Sequence, residues 1–154
     1  MKGNKKLIDA MNGLLMDELT AINQYMVHSE MCENWGYDDL GKMIQTRAVV
    51  EMKHAEKLIA RILFLEGRPT VSKLGDINIG QDVPKMFAND HTAEITAVEH
   101  YNAAIKVAVD AADNATKELL DGILNDEDGH VDEIEAQQDQ IGQMGIQIYL
   151  STKN

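Results

Sequence analysis

Two segments of the chain repeat one pattern: Glu51-Met52-Lys53-His54 and Glu127-Asp128-Gly129-His130. On a helix, residues i and i+3 share a face, so each segment would aim a carboxylate and an imidazole in one direction. The two lie 127 − 51 = 76 residues apart, and the same step carries Glu18 to Glu94 and Tyr25 to Tyr101. A lone Glu-x-x-His is common on Glu-rich helices as a solvated charge pair. Position argues for more here. Ile8, Met11 and Leu15 precede Glu18 at helical steps, and Ile22 and Tyr25 follow it. Phe87 precedes Glu94, with Val98, Tyr101 and Ile105 after it; Leu120, Ile123, Ile134 and Ile141 flank Glu127 and His130. Leu40, Ile44, Leu58 and Leu65 share the stripe of Glu51, which Arg47 and Arg61 interrupt. All four glutamates therefore sit where core residues belong.

Four buried carboxylates without positive partners would each cost several kcal/mol or more. Two divalent cations would balance the four charges, and two neutral imidazoles would complete the shell. Four Glu and two His on four helices are the donor set of a di-iron or di-manganese carboxylate centre. Oxygen and imidazole donors suit iron or manganese, disfavour soft copper(I), and exceed what four-coordinate structural zinc needs. The expected ligands are Glu18, Glu51, His54, Glu94, Glu127 and His130. Tyr25 either lines this site or is an ordinary core tyrosine. His28, His91 and His100 are read as packing or surface residues, with His91 near enough to Glu94 to be a remote candidate.

The elements that must position these groups divide at Gly and Pro. Apolar three- and four-residue steps predict a helix from Leu7 to Trp35, stopped by Gly36 at C′. Asp38-Asp39 marks the start of a second, running to about Glu66, with Gly67 and Pro69 ending it. Residues 68–82 read as a long connection. Asp82 as N-cap and Pro84 in the first turn open a third helix, which ends near Ala111. Asp113 or Asn114 caps a fourth that reaches Met144 before Gly145, and Ile146–Leu150 forms a short further helix. Four helices of about 27–31 residues span about 40–45 Å each. Two short links make antiparallel hairpins, while the long middle link can cross the length of the bundle, the ferritin-like arrangement. The expectation is one all-α domain over residues 1–154.

Composition bounds the partners. The 154 residues are 44% hydrophobic and carry 26 acidic against 14 basic side chains, a formal net charge of −12. That charge disfavours nucleic acid. No apolar run approaches the ~20 residues of a membrane span. The basic opening Met1–Lys6 is followed by Asp9, Asn12 and Asp17, which break up any signal-like apolar stretch. Cys32, the single cysteine, fits a reducing cytoplasm.

Taken together, these residues resemble a bacterioferritin. The resemblance is carried by Met1-Lys2-Gly3, Glu18–Tyr25, Asn34-Trp35-Gly36, Glu51–Ala55, Arg61–Gly67, Asn78-Ile79-Gly80, Asp126–His130 and Met144-Gly145…Tyr149-Leu150, and spans essentially the whole chain. It implies that the six Glu and His residues form a ferroxidase centre, catalysing Fe²⁺ oxidation by O₂ or peroxide with two iron ions per subunit. It implies a hollow cage of about 24 copies in closed symmetry, homo-oligomeric or mixed with a second subunit type, storing ferric mineral. It also implies haem b shared between two subunits and ligated by Met52, with a small redox partner for iron release. Ala48, Met52, Ala55 and Ile59 are expected as a stripe turned away from the metal face, whose small residues would let two helices approach or admit a flat ligand between them. The family often places acidic residues or a histidine before Glu51, where this chain has Gln45, Thr46, Arg47 and Val50. The departure speaks against a separate iron site on the inner surface. Rival readings are a ferritin-like di-iron peroxidase or oxidase that stores nothing, against which the lack of Cys-x-x-Cys counts, and a haem-binding structural cage subunit.

Overall fold

A computed structural model describes residues 1–154. Four long helices, α1 (Lys5–Asn34), α2 (Asp38–Phe64), α3 (Val83–Asp110) and α4 (Asn114–Met144), are followed by a short α5 (Ile146–Ser151), with no strand. Asn4, Asp82 and Asp113 cap α1, α3 and α4 by accepting from the amides of Leu7, Lys85 and Thr116. Such caps satisfy amides that the helix itself leaves unpaired.

α1 ends in a Schellman turn: Tyr37 N–H donates to the Cys32 carbonyl and Gly36 N–H to that of Glu33, with Gly36 at φ +86°. α2 ends at Phe64, close to the expected Glu66, and Glu66 itself is left-handed (φ 60°). Gly67 is there for closeness, because a Cβ on it would lie 2.8 Å from Ile8 Cγ2. α3 likewise ends through a left-handed alanine, Ala112 (φ 54°).

Hydrogen bonds give the topology. Tyr101 reaches Glu18 and Tyr25 reaches Glu94, so α1 and α3 are antiparallel. Since α1 and α2 form an antiparallel hairpin, α2 and α3 run parallel, and their link must return along the whole bundle. It does so as an irregular strap on α1. Amides of Thr70, Gly75, Asn78 and Gly80 donate in turn to side chains of Asn12, Thr20, Gln24 and His28. Ten residue steps of strap, 70 to 80, thereby cover 16 helical steps, 12 to 28, about 24 Å.

Two apolar clusters fill the bundle on either side of its middle. One is built on Leu7, Met11, Leu14, Leu58, Ala104 and Leu120. The other holds Cys32, Leu40, Ile44, Phe87, Ile134 and Tyr149, so α5 closes that end. Polar contacts also link α2 and α4. Arg61 Nε donates to Thr116 Oγ1 (2.8 Å), with its Nη2 3.2 Å from Asp113; His54 meets Asp126 (2.8 Å), and Arg47 Nε lies 3.8 Å from Glu133. Residues 47, 54 and 61 are seven apart and share one face of α2.

Candidate metal centre

The middle layer between the two apolar clusters contains the six expected residues, all buried. Glu18 comes from α1, Glu51 and His54 from α2, Glu94 from α3, Glu127 and His130 from α4. Their donor atoms fall into two overlapping sets. Glu18, Glu51, His54 and Glu127 form one, Glu51, Glu94, Glu127 and His130 the other, with atoms within 4.8 Å of one another in each. Glu51 and Glu127 are common to both, so two ions held here would share two bridging carboxylates.

The donors converge without satisfying each other. His54 Nδ1 lies 2.8 Å from Glu127 Oε1 and 3.6 Å from Glu18 Oε1; His130 Nδ1 lies 2.7 Å from Glu51 Oε1 and 3.4 Å from Glu94 Oε1. Neither nitrogen makes a properly angled hydrogen bond, and Glu18 Oε2, Glu51 Oε1, Glu94 Oε2 and both Glu127 oxygens are likewise unpartnered. Buried polar groups are nearly always paired. Seven orphans pointing at shared centres fit cations, and Glu/His donors are those of iron or manganese.

The outer contacts hold this arrangement. Tyr25 donates to Glu94 Oε1 and Tyr101 to Glu18 Oε1, both at 2.6 Å. Each tyrosine occupies one carboxylate oxygen and leaves the other free. His54 Nε2 donates to Asp126 Oδ2 at 2.8 Å, which turns the Nδ1 lone pair inward.

Without cations, protons take their place. Burial and the Glu51 charge push Glu18 well above the usual carboxylate range. Burial and the neighbouring Glu127 push Glu94 up to about 7. Burial would raise Glu127 too, but the close approach of Glu94, His130 and His54 outweighs it and holds the group low. Both histidines are raised: burial opposes their charge, and contacts with the surrounding glutamates overcome it.

Next to this layer lies a second polar group, whose members look in sequence like breaks in the stripe or plain packing residues. Asp90 Oδ1 accepts from Gln24 Nε2 (2.8 Å) and His28 Nδ1 (2.9 Å), while its Oδ2 is 3.4 Å from Arg47 Nη1. His28 Nε2 in turn accepts from Gly80 N–H, which fixes the histidine as a neutral donor to Asp90. The Arg47 guanidinium stacks over the Tyr25 ring at 5.2 Å. His91 and His100 are turned outward, to Glu135 and Asp17.

Met52 projects from the outer surface, 45% exposed, with Val49 exposed one turn before it. The expected outward stripe is not one face. Ala48 and Ala55 are buried in the two core clusters and Ile59 is half-buried. At about 100° per residue, positions i−4 and i+3 turn about 40–60° from Met52 toward the core, and methyl-sized side chains follow.

A cavity of about 310 Å³ opens between α1, α3 and the strap. Asp17, Gln24, Asp76 and Asn78 line its walls, and Glu18 and Glu94 lie at its floor. No helix is long and apolar enough to cross a membrane.

Residues 8–144 match a family described as a ferritin-like domain. The chain is 38% identical over 149 residues to the bacterioferritin of Rhodobacter capsulatus, covering 95% of this chain and 92% of that one. It is 37% identical to the bacterioferritin of Brucella melitensis biotype 1 (97% and 92% covered) and 37% identical to that of Streptomyces coelicolor (99% and 91%).

Proposed function

The chain belongs to the bacterioferritin family, and we propose that it oxidises Fe²⁺ at the buried carboxylate–histidine cluster and stores the ferric product inside a cage of its own copies. One observation carries this reading: two overlapping donor sets, each within 4.8 Å, whose inward atoms have no other partners. Glu18, Glu51, His54, Glu94, Glu127 and His130 bind the two substrate ions, with Glu51 and Glu127 between them. Each pair of Fe²⁺ gives up two electrons, which reduce O₂ to hydrogen peroxide or peroxide to water. Tyr25 and Tyr101 orient Glu94 and Glu18. The protons that His54, His130 and Glu94 hold leave as Fe²⁺ enters. The acidic cavity between α1, α3 and the strap is the direct way in from the surface to Glu18 and Glu94.

Cage assembly is supported by exposed apolar side chains that a lone subunit has no reason to present. Val71, Leu74, Ile77 and Ile79 stand out along the strap, and Leu63 and Phe64 at the end of α2. Several exposed apolar side chains on one segment fit a surface that other copies cover. Met52 fits a haem shared with a second copy. Its soft thioether faces outward beside exposed Val49, where an identical residue can approach from the other side. Bound haem would supply an electron path for reductive release of stored iron. The protein acts in the cytoplasm on this reading.

The test is aerobic addition of many equivalents of Fe²⁺, then gel filtration with iron assayed in each fraction. Iron far above two per subunit in a very large assembly supports the reading. Two per subunit on a small oligomer refutes storage and leaves a di-iron oxidase or peroxidase.

A further inference from the structure

The 76-residue step relates the two halves of the centre closely. Tyr25 bonds Glu94 as Tyr101 bonds Glu18, and the 2.8 Å approach of His54 to Glu127 is matched by the 2.7 Å approach of His130 to Glu51. The correspondence ends one layer out. His54 turns its second nitrogen to Asp126, the residue before Glu127. The equivalent position, 126 − 76 = 50, is Val50, the residue before Glu51. Valine offers His130 no acceptor. Every polar contact of His130 runs through Nδ1, and its side chain is 11% exposed against 1% for His54.

A carboxylate behind a ligating imidazole fixes the ring and raises its basicity, and losing one typically costs about 10–100-fold in metal affinity. The group of Arg47, Asp90 and His28 also breaks the symmetry, since its counterparts are Ile123, Leu14 and Ala104. Arg47 is answered by Asp90 and Glu133, however, so its charge does not rank the two positions. The histidine support does.

Resting on the reading of the cluster as a metal site, we infer that its two positions are unequal. The position of Glu18, Glu51, His54 and Glu127 fills first and holds a divalent cation about 10–100-fold more tightly. The position of Glu51, Glu94, Glu127 and His130 is the one that exchanges. Asp126 is the positioning residue for the tight half, and Val50 sets the loose one. Iron therefore exchanges chiefly at the position of Glu51, Glu94, Glu127 and His130.

The experiment is anaerobic Co²⁺ titration of the assembled protein, followed by the visible absorption of the bound ion and by calorimetry. Glu94→Ala isolates the first position and Glu18→Ala the second. The Glu94→Ala protein should bind one Co²⁺ per subunit about 10–100-fold more tightly than the Glu18→Ala protein. Adding Val50→Asp to Glu18→Ala should tighten binding about 10-fold, a gain that misfolding cannot imitate; Asp126→Val added to Glu94→Ala should loosen it by as much. Equal affinities in the two single variants, or no tightening by Val50→Asp, overturn the inference while leaving the metal site standing. Absence of Co²⁺ binding to the unaltered protein would overturn the metal-site reading itself.

Discussion

Replacing Glu94 with glutamine should make the metal-free protein more stable, and the gain should depend on pH. Glu94 is buried, with its carboxyl pushed from 4.5 up to about 7. Between about pH 4.5 and 7 the folded chain keeps a proton that the unfolded chain has lost, so this group makes stability fall as pH rises through that window. Above pH 7 both states are ionised, and the folded one carries a penalty of about 3 kcal/mol, since raising a pKa by one costs the ionised form about 1.4 kcal/mol. Glutamine mimics the protonated form: its oxygen still accepts from Tyr25, and its amide can donate toward the unpartnered oxygens of Glu127. At pH 8 the gain should be about 2–3 kcal/mol, or about 5–10 °C in Tm for a chain of this length. Near pH 5, where the native carboxyl is already protonated, it should fall below about 1 kcal/mol. The assay is paired thermal melts in chelator at both pH values. A variant that melts no higher than the parent at pH 8, or gains equally at both, would refute the account of Glu94 as a strained, proton-holding ligand.

Three further outcomes are expected. Glu127→Ala, which removes a carboxylate common to both donor sets, should slow Fe²⁺ oxidation by at least about 100-fold in stopped-flow absorbance, while circular dichroism stays helical. Met52→Ala should abolish haem absorbance in the purified protein and leave the initial rate of iron oxidation within about twofold. Arg47→Met should cost about 3–5 kcal/mol in urea unfolding by stranding Asp90 in the core, and adding Asp90→Asn should recover much of that loss.

Much of this was legible because metal ligation imposes residue types at fixed helical spacing. The 76-residue repeat of Glu, Glu-x-x-His and Tyr named the six residues that the structure brings together, and Asp82, Pro84, Asp113 and Gly145 marked helix ends through local chemistry that needs no tertiary context. What stayed hidden depends on which way a side chain turns. Arg47 looked like a break in an apolar stripe, since a sequence does not show that Asp90, 43 residues on, lies beside it. Gly67 read as a helix stop, and its other use, close packing of α2's end against Ile8, shows only once the helices are together. Ala48 and Ala55 read as an outward stripe because small residues suit a core and an interface equally well.

The polar seam between α2 and α4 has a consequence for alignment. Its three rungs, Arg47 to Glu133, His54 to Asp126 and Arg61 to Asp113 and Thr116, run down two antiparallel helices. Apolar side chains tolerate a slide of one turn, about 5.4 Å, because leucine packs against leucine almost anywhere. A ladder of unlike partners does not, since that slide would unpair every rung together. Glu51 and Glu127 sit between the same rungs, so the seam works as a vernier that sets opposing carboxylates level before any ion arrives. Charged pairs of this kind are best attested as devices of register rather than of stability, and here, with Asp126 and Glu133 reaching solvent, the register is that of the carboxylate layer.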